Sequence, residues 1–128
     1  MEIRKFEITD RDELFLLMKM ENEDWSDYYN HQEKYLKAIS NSITYVLLEQ
    51  EKIVGYIRCK NDDGYGIYIL DLLVDKNYRG KEYGKSLMKT VCDNYPNDEI
   101  YVTSDVDPYY EKQGCEKVGT VFEVNFSK

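Results

Sequence analysis

Hydrophobic and polar positions follow one another in an order that predicts alternating strands and helices. Residues 2–8, EIRKFEI, read as a first strand. Thr9-Asp10-Arg11-Asp12-Glu13 then offers a helix cap with acids in the first turn, and Leu14, Leu17 and Met18 recur at helical spacing to about residue 20. A second, weaker helical stretch is expected from Ser26 to Ile39, carrying Tyr28, Tyr29, Tyr35 and Leu36 and reached through Glu21-Asn22-Glu23-Asp24-Trp25. The β-branched and aromatic runs 43–49 and 52–59, separated by Gln50-Glu51, predict an antiparallel hairpin. After the turn Asn61-Asp62-Asp63-Gly64, residues 66–74, GIYILDLLV, form an almost continuous apolar run of central-strand type. Leu87, Met88, Val91, Cys92 and Tyr95 share one helical face that ends near Pro96. A strand at 99–103, a short helix at Pro108–Lys112 and a final strand from Gly119 to Phe126 complete the series, without internal repeats.

Length and composition narrow this to one soluble domain spanning 1–128. The 128 residues leave room for one core and one ligand cleft. Hydrophobic residues at 42%, with only two prolines and seven glycines, are unlike a disordered tail. Seventeen basic against 25 acidic residues give a net charge of −8, which repels a phosphate backbone and disfavours general nucleic-acid binding. The same charge suits a cationic partner such as an amine, although a solubilising surface is the plainer reading of it. No run approaches the ~18 apolar residues of a membrane span, and the N-terminus lacks the apolar core of a signal peptide, so a cytoplasmic protein is expected. Three cysteines without CxxC spacing fit reduced, mostly buried thiols, and a single histidine, His31, disfavours both a zinc centre and a histidine-based triad.

The segment from Asp75 to Lys85 follows the apolar strand and opens a helix. That order points unpaired backbone N–H groups and a positive dipole end at one spot, which suits a phosphate. Gly80 and Gly84 allow close approach, and Arg79, Lys81 and Lys85 concentrate positive charge in an otherwise acidic chain. An ordinary strand-to-helix turn with surface lysines is the plain alternative. A nucleotide P-loop gains Gly84-Lys85-Ser86 but fails in its first half, because Arg79 stands where its first glycine belongs. The dinucleotide fingerprint fails too, since Gly64-Tyr65-Gly66 runs into a strand.

The stretch from Leu72 to Met88 resembles the acetyl-CoA signature of the GNAT superfamily of N-acetyltransferases, whose loop reads [RQ]-x-x-G-x-[GA]. Pro108-Tyr109-Tyr110-Glu111-Lys112-Gln113-Gly114-Cys115 is similar to that family's C-terminal F-Y-E-K-x-G-F element, and the N-terminal IRKFEITDRDELFLLM is similar to its first strand and helix. Two positions depart from the pattern: Glu82 stands in place of glycine, and Cys115 in place of phenylalanine. The resemblance spans essentially the whole chain. It implies an α/β (α+β) fold with a mixed, mostly antiparallel twisted sheet of six to seven strands and helices on both faces.

The resemblance further implies acetyl transfer from acetyl-CoA to a primary amine by direct attack, without a metal or a covalent enzyme intermediate. Leu72, Leu73 and Val74 would pair with the acyl-pantetheine through their backbone, with an N–H near Leu73 stabilising the oxyanion. Arg79, Gly80, Lys81, Glu82, Tyr83, Gly84 and Lys85 would hold the pyrophosphate. Tyr110 matches the family's general acid, while Tyr109 is expected in the core. Asp71 and Asp105 are candidate bases; Asp71 could equally point outward or pair with a lysine, and Asp105 could cap the short helix. Trp25, Tyr28 and Tyr29, with the neighbouring acids, fall in the variable acceptor-binding segment, where an aromatic and acidic wall suits an ammonium group. A non-catalytic acyl-CoA-binding or regulatory module of the same fold is the alternative, and a homodimer is compatible with either.

Overall fold

A computed structural model describes residues 1–126. In chain order the elements are β1 (Glu2–Lys5), α1 (Arg11–Glu21), α2 (Ser26–Tyr29), α3 (Gln32–Ser40), β2 (Ile43–Glu49), β3 (Lys52–Asn61), β4 (Ile67–Val74), α4 (Tyr83–Asn94), β5 (Ile100–Val102) and α5 (Asp107–Lys112). The strands lie side by side in sequence order; the first three junctions are antiparallel and β4–β5 is parallel, because α4 carries the chain back between them.

Alternation along the strands sends side chains to both faces. Val46, Leu48, Ile53, Tyr56 and Leu73 meet Leu14, Phe15, Leu17 and Met18 of α1 and Tyr35, Leu36 and Ile39 of α3. Tyr45, Leu47, Val54, Ile57, Ile67 and Ile69 meet Leu87 and Val91 of α4 on the opposite face. The central strands are therefore apolar nearly throughout, as residues 43–59 and 66–74 read. Gln50 and Glu51 both take positive φ, 51° and 68°, in the manner of the tight two-residue hairpin turn.

Four expectations are corrected. β1 stops at Lys5 because the chain turns into a short 3₁₀ segment at Ile8–Asp10, where Asp10 is buried and accepts from both Arg4 Nη1 (2.8 Å) and Nη2 (2.9 Å) and from the Glu7 N–H (2.8 Å). The stretch from Ser26 to Ile39 is two helices, broken at Asn30-His31, two residues of weak helix propensity. Residues 119–126 form no strand, so the sheet has five strands rather than six or seven; β5, only three residues long, has nothing on its far side among the described residues. Of the three thiols only Cys59 is buried, and burial pushes it up to about 12; Cys92 and Cys115 are exposed.

Candidate active site

The site begins where β4 and β5 part. β5 accompanies β4 only from Ile67 to Ile69, and at that point β4 carries an extra residue, Leu70, relative to β3: Cys59 faces Ile69 while Arg58 faces Asp71. Beyond the bulge, Leu72–Val74 pair with β3 alone. The Asp75 N–H donates to Val54 O (2.8 Å), so strand alternation turns the Leu73 N–H toward β3 and the Leu72 and Val74 backbone toward the open side. Val74 O on that side accepts from Arg79 Nε (3.1 Å). Leu73, buried beneath α1, spends its N–H inside the sheet, and the neighbouring N–H that faces the gap is that of Leu72.

The parting opens a cleft of about 420 Å³. Leu72, Asp71, Trp25, Tyr28 and Tyr110 line it, together with Thr103, Ser104 and Asp105 from the end of β5 and Asp24 and Asp27 from the α1–α2 region. Two widely separated sequence motifs thus meet in one cavity. Tyr110, on α5, stands edge-on to Tyr109 with ring centroids 5.0 Å apart. Burial, reinforced by Tyr109, Asp105 and Cys115, pushes its hydroxyl up to about 12, so it holds its proton at neutral pH.

Asp71 is committed elsewhere than to a free carboxylate. Its Oδ1 accepts from Tyr28 Oη (2.8 Å) and its Oδ2 from Tyr35 Oη (2.7 Å) and Arg58 Nε (2.6 Å); Tyr35 Oη also meets Tyr56 Oη at 2.7 Å. Burial works against the Arg58 charge, and Asp71 more than offsets it, holding the guanidinium above its ordinary value. Burial and then Asp71 likewise raise Tyr28 and Tyr35. The cluster ties α2 and α3 to β3 and β4 and stacks Tyr28 on Tyr35 at 4.1 Å. Trp25 packs edge-on against Tyr28 and Tyr56. Tyr29 does not join this wall: it is half-buried, with Lys19 Nζ 5.8 Å from its ring centroid.

At the other end, the loop into α4 presents a helix N-terminus. Ser86 is the first residue whose N–H enters the ladder, donating to Glu82 O (3.0 Å), so those of Tyr83, Gly84 and Lys85 face forward. Gly80 (φ 85°) and Glu82 (φ 61°) shape the approach in the left-handed region. The side chains of this loop divide into engaged and free ones. Arg79 donates through Nη2 to both carboxylate oxygens of Glu21 (2.7 Å) and through Nε to Val74 O, and Tyr83 Oη donates to Glu49 (2.6 Å), so both side chains are already engaged. Lys81 lies over the Tyr78 ring at 5.4 Å, and Lys85 makes no ion pair among the described residues. Gly84 is buried, and a Cβ there would collide with the Tyr109 hydroxyl; Tyr109 thus reaches from α5 onto the first turn of α4, beyond the core role expected of it.

Residues 11–117 match the sequence model of the acetyltransferase (GNAT) family. The chain belongs to the GNAT family. As such it is an acetyl-CoA-dependent N-acetyltransferase. Solved structures agree on the fold. A GNAT-family acetyltransferase from Streptococcus pneumoniae TIGR4 superposes with TM-score 0.74 at 22% identity, over 97% of this chain and 98% of that one. The ribosomal-protein-alanine N-acetyltransferase of Brucella melitensis gives 0.75 at 14%, over all of both chains, and an aminoglycoside acetyltransferase from an uncultured soil metagenomic sample gives 0.73 at 21%, over 98% and 96%. No curated protein matches the chain. No helix among the described residues of this GNAT chain is long and apolar enough to cross a membrane.

Sequence reasoning missed Arg58, Tyr35 and Tyr56. The available signal was a pair of opposite charges, each interrupting an apolar run, on strands already expected to be near neighbours. It also missed Asp27, Thr103 and Ser104, which carry no pattern of their own and enter the cleft only because β5 diverges.

Proposed function

We propose that this GNAT protein transfers acetyl from acetyl-CoA to the neutral form of a primary amine whose bulk enters the cleft between Trp25 and Asp105. The observation that carries the reading is the convergence of Tyr110, the open backbone edge at Leu72 and an acid-lined cleft at the parting of β4 and β5. The loop fits an anionic cofactor: forward-facing N–H groups, Lys81 and Lys85, and a glycine at 84 where a side chain would fill the approach. Acetyl-CoA supplies the activated thioester. The Leu72 N–H donates to the carbonyl oxygen as negative charge develops there, and Val74 pairs with the pantetheine.

As the C–N bond forms and the C–S bond breaks, the amine's proton passes to Asp105, directly or through one water, and the Tyr110 hydroxyl protonates the departing sulfur. Asp105 suits this task better than Asp71 because, among the described residues, it makes no ion pair and its carboxylate accepts no hydrogen bond, whereas Asp71 is held by Arg58, Tyr28 and Tyr35. Asp71 instead holds Tyr28 in place. Trp25 and Tyr28 form the apolar wall for the acceptor, and Asp24 and Asp27 attract its positive charge. The structural neighbours include a ribosomal-protein-alanine N-acetyltransferase and an aminoglycoside acetyltransferase; alanine and aminoglycosides both carry amines, and this cleft supports the shared chemistry rather than either one.

Calorimetric titration with acetyl-CoA, followed by a panel of amines with release of CoA thiol as readout, tests the assignment. Saturable binding and amine-dependent thiol release are expected. Tyr110→Phe should lower kcat about 10²-fold or more with little change in acetyl-CoA affinity, whereas Tyr109→Phe should not. Equal effects of the two would remove Tyr110 from its role as the acid.

A further inference from the structure

The Thr44 hydroxyl is the one buried side-chain oxygen or nitrogen, among the described residues, that has no hydrogen-bond partner. Burying a hydroxyl in that way is costly unless something meets it. Thr44 is 6% exposed and forms part of the wall of a second cavity, of about 160 Å³. This cavity lies where β1 leaves the sheet. The last main-chain bond of that junction runs from the Phe6 N–H to Thr44 O (2.9 Å), and the first residues of β2, beyond it, have no strand on that side among the described residues.

Phe6, Ile39, Ile43 and Tyr95 give the cavity an apolar and aromatic body. Its volume is close to the roughly 150 Å³ that admits a benzene ring in an engineered apolar cavity. In a chain of net charge −8, no acidic side chain lines it and one basic side chain does. That residue, Lys5, is exposed and makes no ion pair among the described residues. The remaining polar wall, Ser42, is already engaged: its hydroxyl donates to Ala38 O (2.6 Å) and accepts from Arg58 Nη1 (3.2 Å). The groups left for a ligand are the Thr44 hydroxyl and the Lys5 ammonium, and both can donate.

We propose that this cavity is a binding site for a small apolar carboxylate, the size of benzoate. Its ring lies among Phe6, Ile39, Ile43 and Tyr95, and its oxygens accept from the Thr44 hydroxyl and the Lys5 ammonium. The occupant is distinct from the acceptor amine. No residue is shared between the two cavities, and the acceptor cleft, lined by aspartates, repels a carboxylate. The two are nevertheless joined through the sheet. Thr44 faces Arg58 across β2 and β3, and Arg58 faces Asp71 across β3 and β4. One cross-strand row therefore runs from the cavity to the carboxylate that accepts from Tyr28, with Ser42 bonded to Arg58 beside it. A negative charge taken up beside Thr44 acts on the Arg58 guanidinium one strand away, roughly 5 Å in the spacing of paired strands.

Titration of the ¹⁵N-labelled full chain with benzoate at constant ionic strength and pH, followed in two-dimensional ¹H–¹⁵N spectra, tests the site without reference to catalysis. Saturable shifts are expected at the Phe6, Ile43 and Thr44 amides and at the Arg58 Nε–H, all with one dissociation constant of about 1 mM or tighter. Thr44→Val keeps the shape and removes the hydroxyl, and Lys5→Gln removes the charge. Each should weaken binding about fivefold or more while leaving the spectrum of the free protein otherwise intact, and neutral benzyl alcohol should bind the natural chain more weakly by a similar factor. Shifts confined to Trp25, Tyr28 and Leu72, or no saturation by about 10 mM, overturn the proposal. Full affinity in both variants, equal affinity for benzyl alcohol, or binding that leaves the Arg58 Nε–H unmoved overturns it as well.

Discussion

Two positions in the cofactor loop carry consequences out of proportion to their size. Gly84 sits in the first turn of α4, where alanine would ordinarily stabilise a helix by about 1 kcal/mol. Here the added Cβ collides with the Tyr109 hydroxyl but lies 3.4 Å from the ring carbon behind it. Gly84→Ala should therefore lower the melting temperature in the natural background and be neutral or better when combined with Tyr109→Phe, which removes the offending oxygen. Additive effects of the two substitutions in a thermal-melt cycle would show that they do not share this contact. Glu82 stands where the family signature has glycine, and its φ of 61° gives the reason for the glycine: the residue before the helix takes the left-handed region, which costs a side chain roughly 1 kcal/mol. It also sets a carboxylate ahead of N–H groups aimed at an anion. Glu82→Gly is expected to hold or raise stability by about that amount and to tighten acetyl-CoA binding; a weaker dissociation constant in calorimetry would mean that the carboxylate helps to shape the site.

At the scale of elements, the Arg58–Asp71 pair acts as a rivet between β3, β4 and the two helices that wall the cleft. Both charges are nearly buried, with side-chain exposures of 11% and 5%. Arg58→Met leaves Asp71 buried without its counter-charge and should cost about 3–5 kcal/mol in chemical denaturation. Tyr28→Phe removes only one donor and should mainly raise the acceptor KM. The rivet also marks where the sequence stopped being legible. The hairpin spanning 43–59, the apolar strand from 66 and the helix after the glycine loop could be read because period and turn chemistry are local, and the structure bounds them to within a few residues. Which N–H groups face the gap could not be read, because that depends on the extra residue at Leu70 and on strand parity, so the sequence points only to the neighbourhood of Leu73. The break at Asn30-His31 was hidden for a similar reason: Tyr28 is drawn to Asp71, 43 residues away, and no helical periodicity records that bond. Residues 119–126 alternate like a strand, but a strand also needs a neighbour, which alternation does not supply, and in the structure they form none.

Across the whole molecule, charge is divided between two ends of one reaction. The chain carries −8 overall, yet Lys81 and Lys85 stand at the cofactor loop, while the cleft is lined by Asp24, Asp27 and Asp105 and by no basic side chain. The net negative charge and an acidic mouth together draw a cation toward Trp25 and Tyr28, and the field weakens as salt shortens its reach from ~10 Å at 0.1 M. A cationic acceptor should therefore show a KM that rises several-fold between low salt and about 0.5 M, with kcat nearly constant because the Leu72 and Tyr110 contacts are made inside the cleft and are little screened. Asp24→Asn combined with Asp27→Asn should raise the KM at low salt and flatten its salt dependence, while leaving the acetyl-CoA dissociation constant alone. If the KM of a cationic amine proves flat with salt, the three carboxylates do not guide the acceptor, and selection rests on the aromatic wall formed by Trp25 and Tyr28.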